Sequence, residues 1–100
     1  MRYTIKDKKL AKLYESGKGL SDYPPEVVAA FQRRLATIAA ATSEQDLYGL
    51  AALHYEKLQG RRRGQRSMRL HDRWRLIVAI EEDMQGQSMV ILEISNHYDQ

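Results

Sequence analysis

The sequence has no cysteine, and only two prolines and six glycines among 100 residues. Without cysteine there is no disulfide framework, no thiolate nucleophile and no Cys-based zinc site. No apolar run approaches the ~18–20 residues that a membrane span needs. The opening Met1-Arg2-Tyr3-Thr4-Ile5-Lys6 carries charge with no apolar core after it. A secretory leader is therefore not expected, and the expected compartment is the cytoplasm. His54, His71 and His97 do not share metal-ligand spacing, so neither a metal nor a cofactor is expected. No internal repeat, low-complexity segment or linker appears. What remains is a chain with 43% hydrophobic residues, enough for the core of one small domain spanning 1–100. A core of this size implies a net stability of only about 5–10 kcal/mol.

The charge is unevenly placed. Overall it is +3, but residues 57–75 hold Lys57, Arg61, Arg62, Arg63, Arg66, Arg69, Arg73 and Arg75 against the single acid Asp72. That stretch is +7 and the remainder is −4. Seven of the eight cations are arginine, the planar and permanently charged donor suited to phosphate. A local field of this kind points to a polyanionic partner, nucleic acid before an acidic protein.

Hydrophobic spacing gives the element order. Residues 3–5 read as a first strand. Asp7 is placed to cap a helix with Leu10, Leu13 and Tyr14 on one face, stopped by Gly17. Ser21 and Asp22 ahead of Pro24-Pro25 signal a second helix start. Val27, Val28, Phe31, Leu35 and Ile38 then give an amphipathic helix over about 25–41. Ser43 and Asp46 have the spacing of a capping box for a short third helix ending near Tyr48. From there the period changes. Residues 53–58 are expected as a strand, 61–64 as a loop, and Arg66, Met68 and Leu70 alternate with Ser67, Arg69 and His71. Trp74, Leu76, Val78 and Ile80 form one face of the next strand, with Arg75, Ile77 and Ala79 on the other. Residues 81–87 are expected as an acidic turn, and 88–95 as the last strand. The fold class is α+β: a short N-terminal strand and two to three helices packed on an antiparallel sheet, in the order β-α-α-β-β-β-β.

Metal-free cleavage of an RNA phosphodiester needs a base for the 2′-hydroxyl, a cation for the charge that builds on the phosphoryl oxygens, and an acid for the departing 5′-oxygen. The basic stretch supplies cations. Glu56, His54, His71, His97 and Tyr98 supply proton chemistry near expected strand ends. The structural alternative for Arg75 is a cross-strand ion pair with Glu93. Trp74 is expected in the core rather than as a stacking platform.

Leu58-Gln59-Gly60, Gly64-Gln65-Arg66-Ser67-Met68-Arg69-Leu70 and Trp74-Arg75-Leu76-Ile77-Val78 resemble the central hairpin of the RelE/ParE superfamily, toxins of type II toxin–antitoxin modules. The pattern is most similar to the HigB group, the plasmid maintenance killer proteins. Ser95-Asn96-His97-Tyr98 resembles the terminal His-Tyr of YoeB-type members. The resemblance implies an endoribonuclease that cleaves messenger RNA in the ribosomal A site, leaving a 2′,3′-cyclic phosphate or its opened form and a 5′-hydroxyl. It implies that Glu56 is the general base, with His54 as the alternative. Arg75 would stabilise the phosphate, His97 act as general acid, and Tyr98 stack on a base or orient the phosphate. Lys57 and Arg69 would hold flanking phosphates, while Arg61, Arg62, Arg63, Arg66 and Arg73 would serve RNA binding. The implied partners are messenger and ribosomal RNA and a cognate antitoxin, a helix-turn-helix protein in HigA-like cases, with no membrane. The alternatives are a ParE-like inhibitor of DNA gyrase or an inactive relative that binds RNA or the ribosome. One geometric condition follows. A two-residue turn at Asp72-Arg73 pairs Leu70 with Arg75 and puts Arg69 on the opposite face. A pocket shared by Arg69 and Arg75 therefore requires a bulge or a longer turn.

Overall fold

The computed structural model describes residues 1–16 and 23–96. The elements in chain order are β1 (Arg2–Ile5), α1 (Lys8–Ser16), α2 (Pro25–Ala40), α3 (Glu44–Tyr48), β2 (Glu56–Lys57), β3 (Gln65–His71), β4 (Trp74–Asp83) and β5 (Gly86–Ser95). The strands form one sheet in the order β1-β5-β4-β3-β2. β2 to β5 run antiparallel, and β1 pairs with β5 in parallel. The helices lie on one face of the sheet, as the α+β reading expects.

Local chemistry accounts for the helix starts. The Asp7 carboxylate accepts the Lys9 and Leu10 backbone N–H groups at 2.8 and 3.1 Å, capping α1. Pro25 occupies the first helical position of α2, where its missing N–H costs nothing. Gly17, Ser21 and Asp22 fall outside the described residues. Ser43 precedes α3 but gives no side-chain cap. The box closes one residue earlier instead: the Asp46 carboxylate takes the Thr42 backbone N–H at 2.8 Å and the Thr42 hydroxyl at 2.7 Å. These bonds, the Thr42 amide foremost, hold the Asp46 carboxyl below the usual carboxylate range.

Leu10, Leu13, Val27, Phe31 and Ile38 from the helices meet Met68, Leu76, Val78, Met89 and Ile91 from the sheet, all fully buried. Two bulges keep these side chains on one side. In β5 the register against β4 shifts between Ile77 and Val78, so Leu92 is the extra residue. Met89, Ile91 and Ile94 therefore all face the helices, although their spacing changes from two to three. In β3 the register shifts between Arg69 and His71, with Leu70 as the extra residue.

Two expected boundaries are corrected. Residues 53–58 do not form a strand. Ala51–Leu53 is a 3₁₀ turn, His54 adopts a left-handed backbone (φ 46°), and only Glu56–Lys57 pairs with β3. Leu53 and Tyr55 have strand-like spacing because both reach the core, but the chain is still turning around the sheet between them. Residues 81–87 are mostly not a turn. β4 runs to Asp83, β5 starts at Gly86, and Met84-Gln85 alone joins them. Arg2 on β1 fixes this hairpin by binding Asp83 and Gln85, each at 3.0 Å. Gly86 supplies the positive φ of 106° at its exit.

A polar cluster ties α3 to the sheet. The Glu44 carboxylate accepts Arg66 Nε at 2.6 Å and the Tyr55 hydroxyl at 2.8 Å, and the Tyr55 ring meets Tyr48 edge to face. Burial, then the bond to Glu44, pushes the Tyr55 phenol far above its ordinary range, so it stays a neutral donor. Both members of the ion pair are largely buried, with side-chain exposures of 16% and 14%. Glu44→Ala is therefore expected to lower unfolding stability by about 2–3 kcal/mol in denaturant titration, because it strands the Arg66 charge and the Tyr55 hydroxyl together. A loss no larger than that of an ordinary surface substitution would contradict this role.

Candidate functional site

The sheet face opposite the helices carries the polar residues that the central motif supplies. Side chains at paired positions of neighbouring antiparallel strands project to the same side. Glu56 pairs with Ser67, and Ser67 with Ile77. One step along, Arg69 pairs with Arg75 and Arg75 with Ser95. Glu56, Ser67, Arg69, Arg75 and Ser95 thus share this face across four strands. The Leu70 bulge is what places Arg69 there: it satisfies the geometric condition and removes the Leu70–Arg75 pairing that a regular hairpin would impose.

Arg75 is anchored at two of its nitrogens. Its Nε donates to Ser67 Oγ at 2.9 Å and its Nη2 to the His54 carbonyl at 2.5 Å. The two bonds fix the plane of the guanidinium. Ser67 is fully buried beneath it, and the left-handed backbone of His54 turns that carbonyl toward it. The alternative of an Arg75–Glu93 pairing meets a different register. Glu93 lies opposite Ile77, and its carboxylate takes Arg62 Nη1 at 3.3 Å.

The remaining basic residues divide into two groups. Arg62 also donates to the Gln65 side chain at 3.1 Å, from the end of the 3₁₀ turn Gly60–Arg62. Arg66 is bound to Glu44 and to the Gly64 carbonyl. Each of these two cations holds a carboxylate from another element. Lys57, Arg61, Arg63, Arg69 and Arg73 are exposed. Arg73 lines a cleft with Asp72, Trp74 and Asn96 at the hairpin end of the site. Trp74 packs against the core and meets Tyr23 edge to face. His71 lies 3.6 Å from the Asp72 carboxylate. His97 and Tyr98 lie outside the described residues. Among the described residues no group of three His, Asp or Glu side chains could hold a metal ion.

Ser67 and the His54 carbonyl are contributions that reading by residue type passes over. Ser67 had a signal: a small polar residue two positions before Arg69, on the same face in a period-two strand. The carbonyl had none, because its direction depends on one backbone dihedral.

The residues of this face can bind and polarise a phosphodiester. Arg75 offers a fixed fork of N–H donors, Arg69 a second cation in the same cross-strand row, and Glu56 a carboxylate across from Ser67.

The sequence matches, over residues 3–93, the family described as RelE-like toxin of type II toxin-antitoxin system HigB. Among solved structures it is similar to a YoeB/ParE toxin from Agrobacterium tumefaciens, with 13% identity, TM-score 0.65, and 98% of this chain and 100% of that chain covered. It also matches a chain of the RelBE2 toxin–antitoxin complex from Mycobacterium tuberculosis, with 19% identity, TM-score 0.48 and 96% of each chain covered. No curated protein matches.

Proposed function

The chain belongs to the HigB-like family of RelE-like toxins from type II toxin–antitoxin systems, and on that footing we propose that it is a ribosome-dependent endoribonuclease that cleaves messenger RNA without a metal ion. The observation that carries this reading is the polar face itself: Arg75, locked by Ser67 and the His54 carbonyl, stands beside Arg69 and shares its side of the sheet with Glu56.

In the reaction, the Glu56 carboxylate accepts the proton of the 2′-hydroxyl, and the 2′-oxygen attacks phosphorus. Charge grows on the two non-bridging oxygens, where Arg75 meets it. The bond to the 5′-oxygen breaks, and His97 gives that oxygen its proton. The products are a 2′,3′-cyclic phosphate and a 5′-hydroxyl. Ser95 sits opposite Arg75, and His97 is two residues further along, a reach of at most ~7 Å of extended chain. Tyr98 stacks on a base or orients the phosphate. Lys57 and Arg69 hold flanking phosphates, and exposed Arg61, Arg63 and Arg73 face ribosomal RNA. Arg62 and Arg66 each hold a carboxylate, and in this reading they brace the scaffold rather than contact RNA. The partner that silences the activity is a cognate antitoxin.

His97→Gln is expected to slow cleavage about 10²–10⁴-fold while leaving the melting temperature unchanged. An undiminished rate would remove His97 from the reaction. Purified protein added to translating ribosomes tests the whole reading. Codon-spaced cuts in the message support it. Loss of DNA supercoiling by gyrase with intact message would indicate a ParE-like inhibitor. Binding to ribosomes with neither effect would indicate an inactive RNA-binding relative.

A further inference from the structure

We infer that Arg33 and Arg34 of α2 join Arg69 of β3 in a second phosphate-binding site at the β3 edge, which takes the single-stranded RNA backbone flanking the cleaved bond. This rests on the reading of the sheet face as an RNA-cleaving site, and extends it to a helix that the central motif does not include.

The arrangement begins at the Leu70 bulge. The Arg69 carbonyl accepts Arg34 Nε at 2.9 Å from the helix side. β2 ends its pairing opposite Ser67, so Arg69 lies past the last covered position of the β3 edge. Arg69 thereby belongs to two cation groups. Its side chain stands beside Arg75 on the polar face, and its backbone fastens Arg34 at the edge. Arg33, the next residue on α2, is exposed.

Like charges gathered at one sheet edge repel one another unless something anionic comes between them. The proton affinity of Arg34 is lowered first by burial and then by the positive charges of Arg33 and Arg69. No ion pair among the described residues involves Arg33, Arg34 or Arg69. By contrast, Arg2, Arg62 and Arg66 each hold a carboxylate. A phosphodiester chain places one negative charge on every nucleotide. It suits a series of cations running from Arg75 through Arg69 to Arg34 and Arg33. Arginine forks are the donors that grip such oxygens in pairs.

The probe is a fluorescent RNA of about 16 nucleotides with 2′-O-methyl riboses, which binds but cannot be cut. Its affinity is measured by anisotropy across a range of salt. Arg33→Glu is the test variant because its side chain is exposed and makes no ion pair among the described residues, and Arg33→Lys is the charge-preserving control. Arg33→Glu is expected to weaken binding about tenfold and to flatten the plot of log affinity against log salt by about 0.7 per lost phosphate contact. Arg33→Lys should keep the wild-type slope. Equal affinity and slope in wild type and Arg33→Glu would overturn the inference, as would failure of the wild type to bind this RNA. A polyglutamate peptide that binds as tightly, with the same dependence on Arg33, would make the site one for an acidic protein and overturn the RNA assignment. Because the probe cannot be cleaved, the two readings fail separately. Transcripts cut normally with no effect of Arg33→Glu would end this inference alone. A probe bound through Arg33 by a protein that cuts nothing would end the proposed activity alone.

Discussion

Arg75→Ala is expected to reduce the single-turnover rate of message cleavage on programmed ribosomes by about 10²–10³-fold, equivalent to ~3–4 kcal/mol of transition-state stabilisation. The size of the effect follows from how the side chain is held. Ser67 Oγ and the His54 carbonyl take Nε and Nη2, so the guanidinium plane is set before substrate arrives. A donor aimed in advance at developing charge costs no reorganisation during the reaction. The same bonds give the variant a second effect. Ser67 is fully buried, and removing its partner should lower unfolding stability by about 1–2 kcal/mol. Thermal melting must accompany the rate measurement, so that loss of catalysis is read on folded protein. Arg75→Lys keeps the charge but cannot supply the planar fork, and should fall between alanine and wild type. A rate for Arg75→Ala within a few-fold of wild type, on folded protein, would remove Arg75 from the reaction.

Glu56→Gln is expected to lower the rate by about 10²–10⁴-fold with little change in stability, because Glu56 is exposed in a two-residue strand. His54→Gln should leave the rate within a few-fold of wild type, since that residue serves through its backbone carbonyl, which the substitution retains. The reverse outcome, a silent Glu56→Gln and an inactive His54→Gln, would transfer the role of base to His54.

The parts of the fold legible in the sequence were those set by local spacing. Asp7 ahead of Leu10 and Leu13, Pro25 ahead of the Val27–Phe31–Leu35 stripe, and the alternation from Arg66 to Leu70 each report a face that one element must bury. What spacing does not carry is where the alternation slips. Leu92 and Leu70 are ordinary strand residues, and nothing in their identity marks them as bulges, yet they decide which side chains share a face. The same holds for His54, whose left-handed turn breaks an apparent strand. Parallel pairing of β1 with β5 is a long-range choice that neither segment announces alone.

The candidate site was legible by residue type and less so by employment. The central motif brings Arg69, Arg75 and Glu56 to one face. The +7 stretch does not distinguish a cation that faces solvent from one that holds the fold. Arg66 and Arg62 look the same as Arg61 and Arg63 until Glu44 and Glu93 are found beside them. Those carboxylates come from α3 and β5, distant in sequence from the basic stretch. Arg33 and Arg34 lie outside that stretch and read as the polar side of an amphipathic helix.

The central claim is that the cation row on the open sheet face cuts message. It is tested most directly by inducing wild type and Arg75→Ala in growing cells and mapping the 5′ ends of all transcripts. New 5′-hydroxyl ends within coding regions, in register with codons, present for wild type and absent for Arg75→Ala at equal protein level, are the predicted result. Growth arrest by wild type with no new transcript ends, or the same ends from both proteins, would contradict the account.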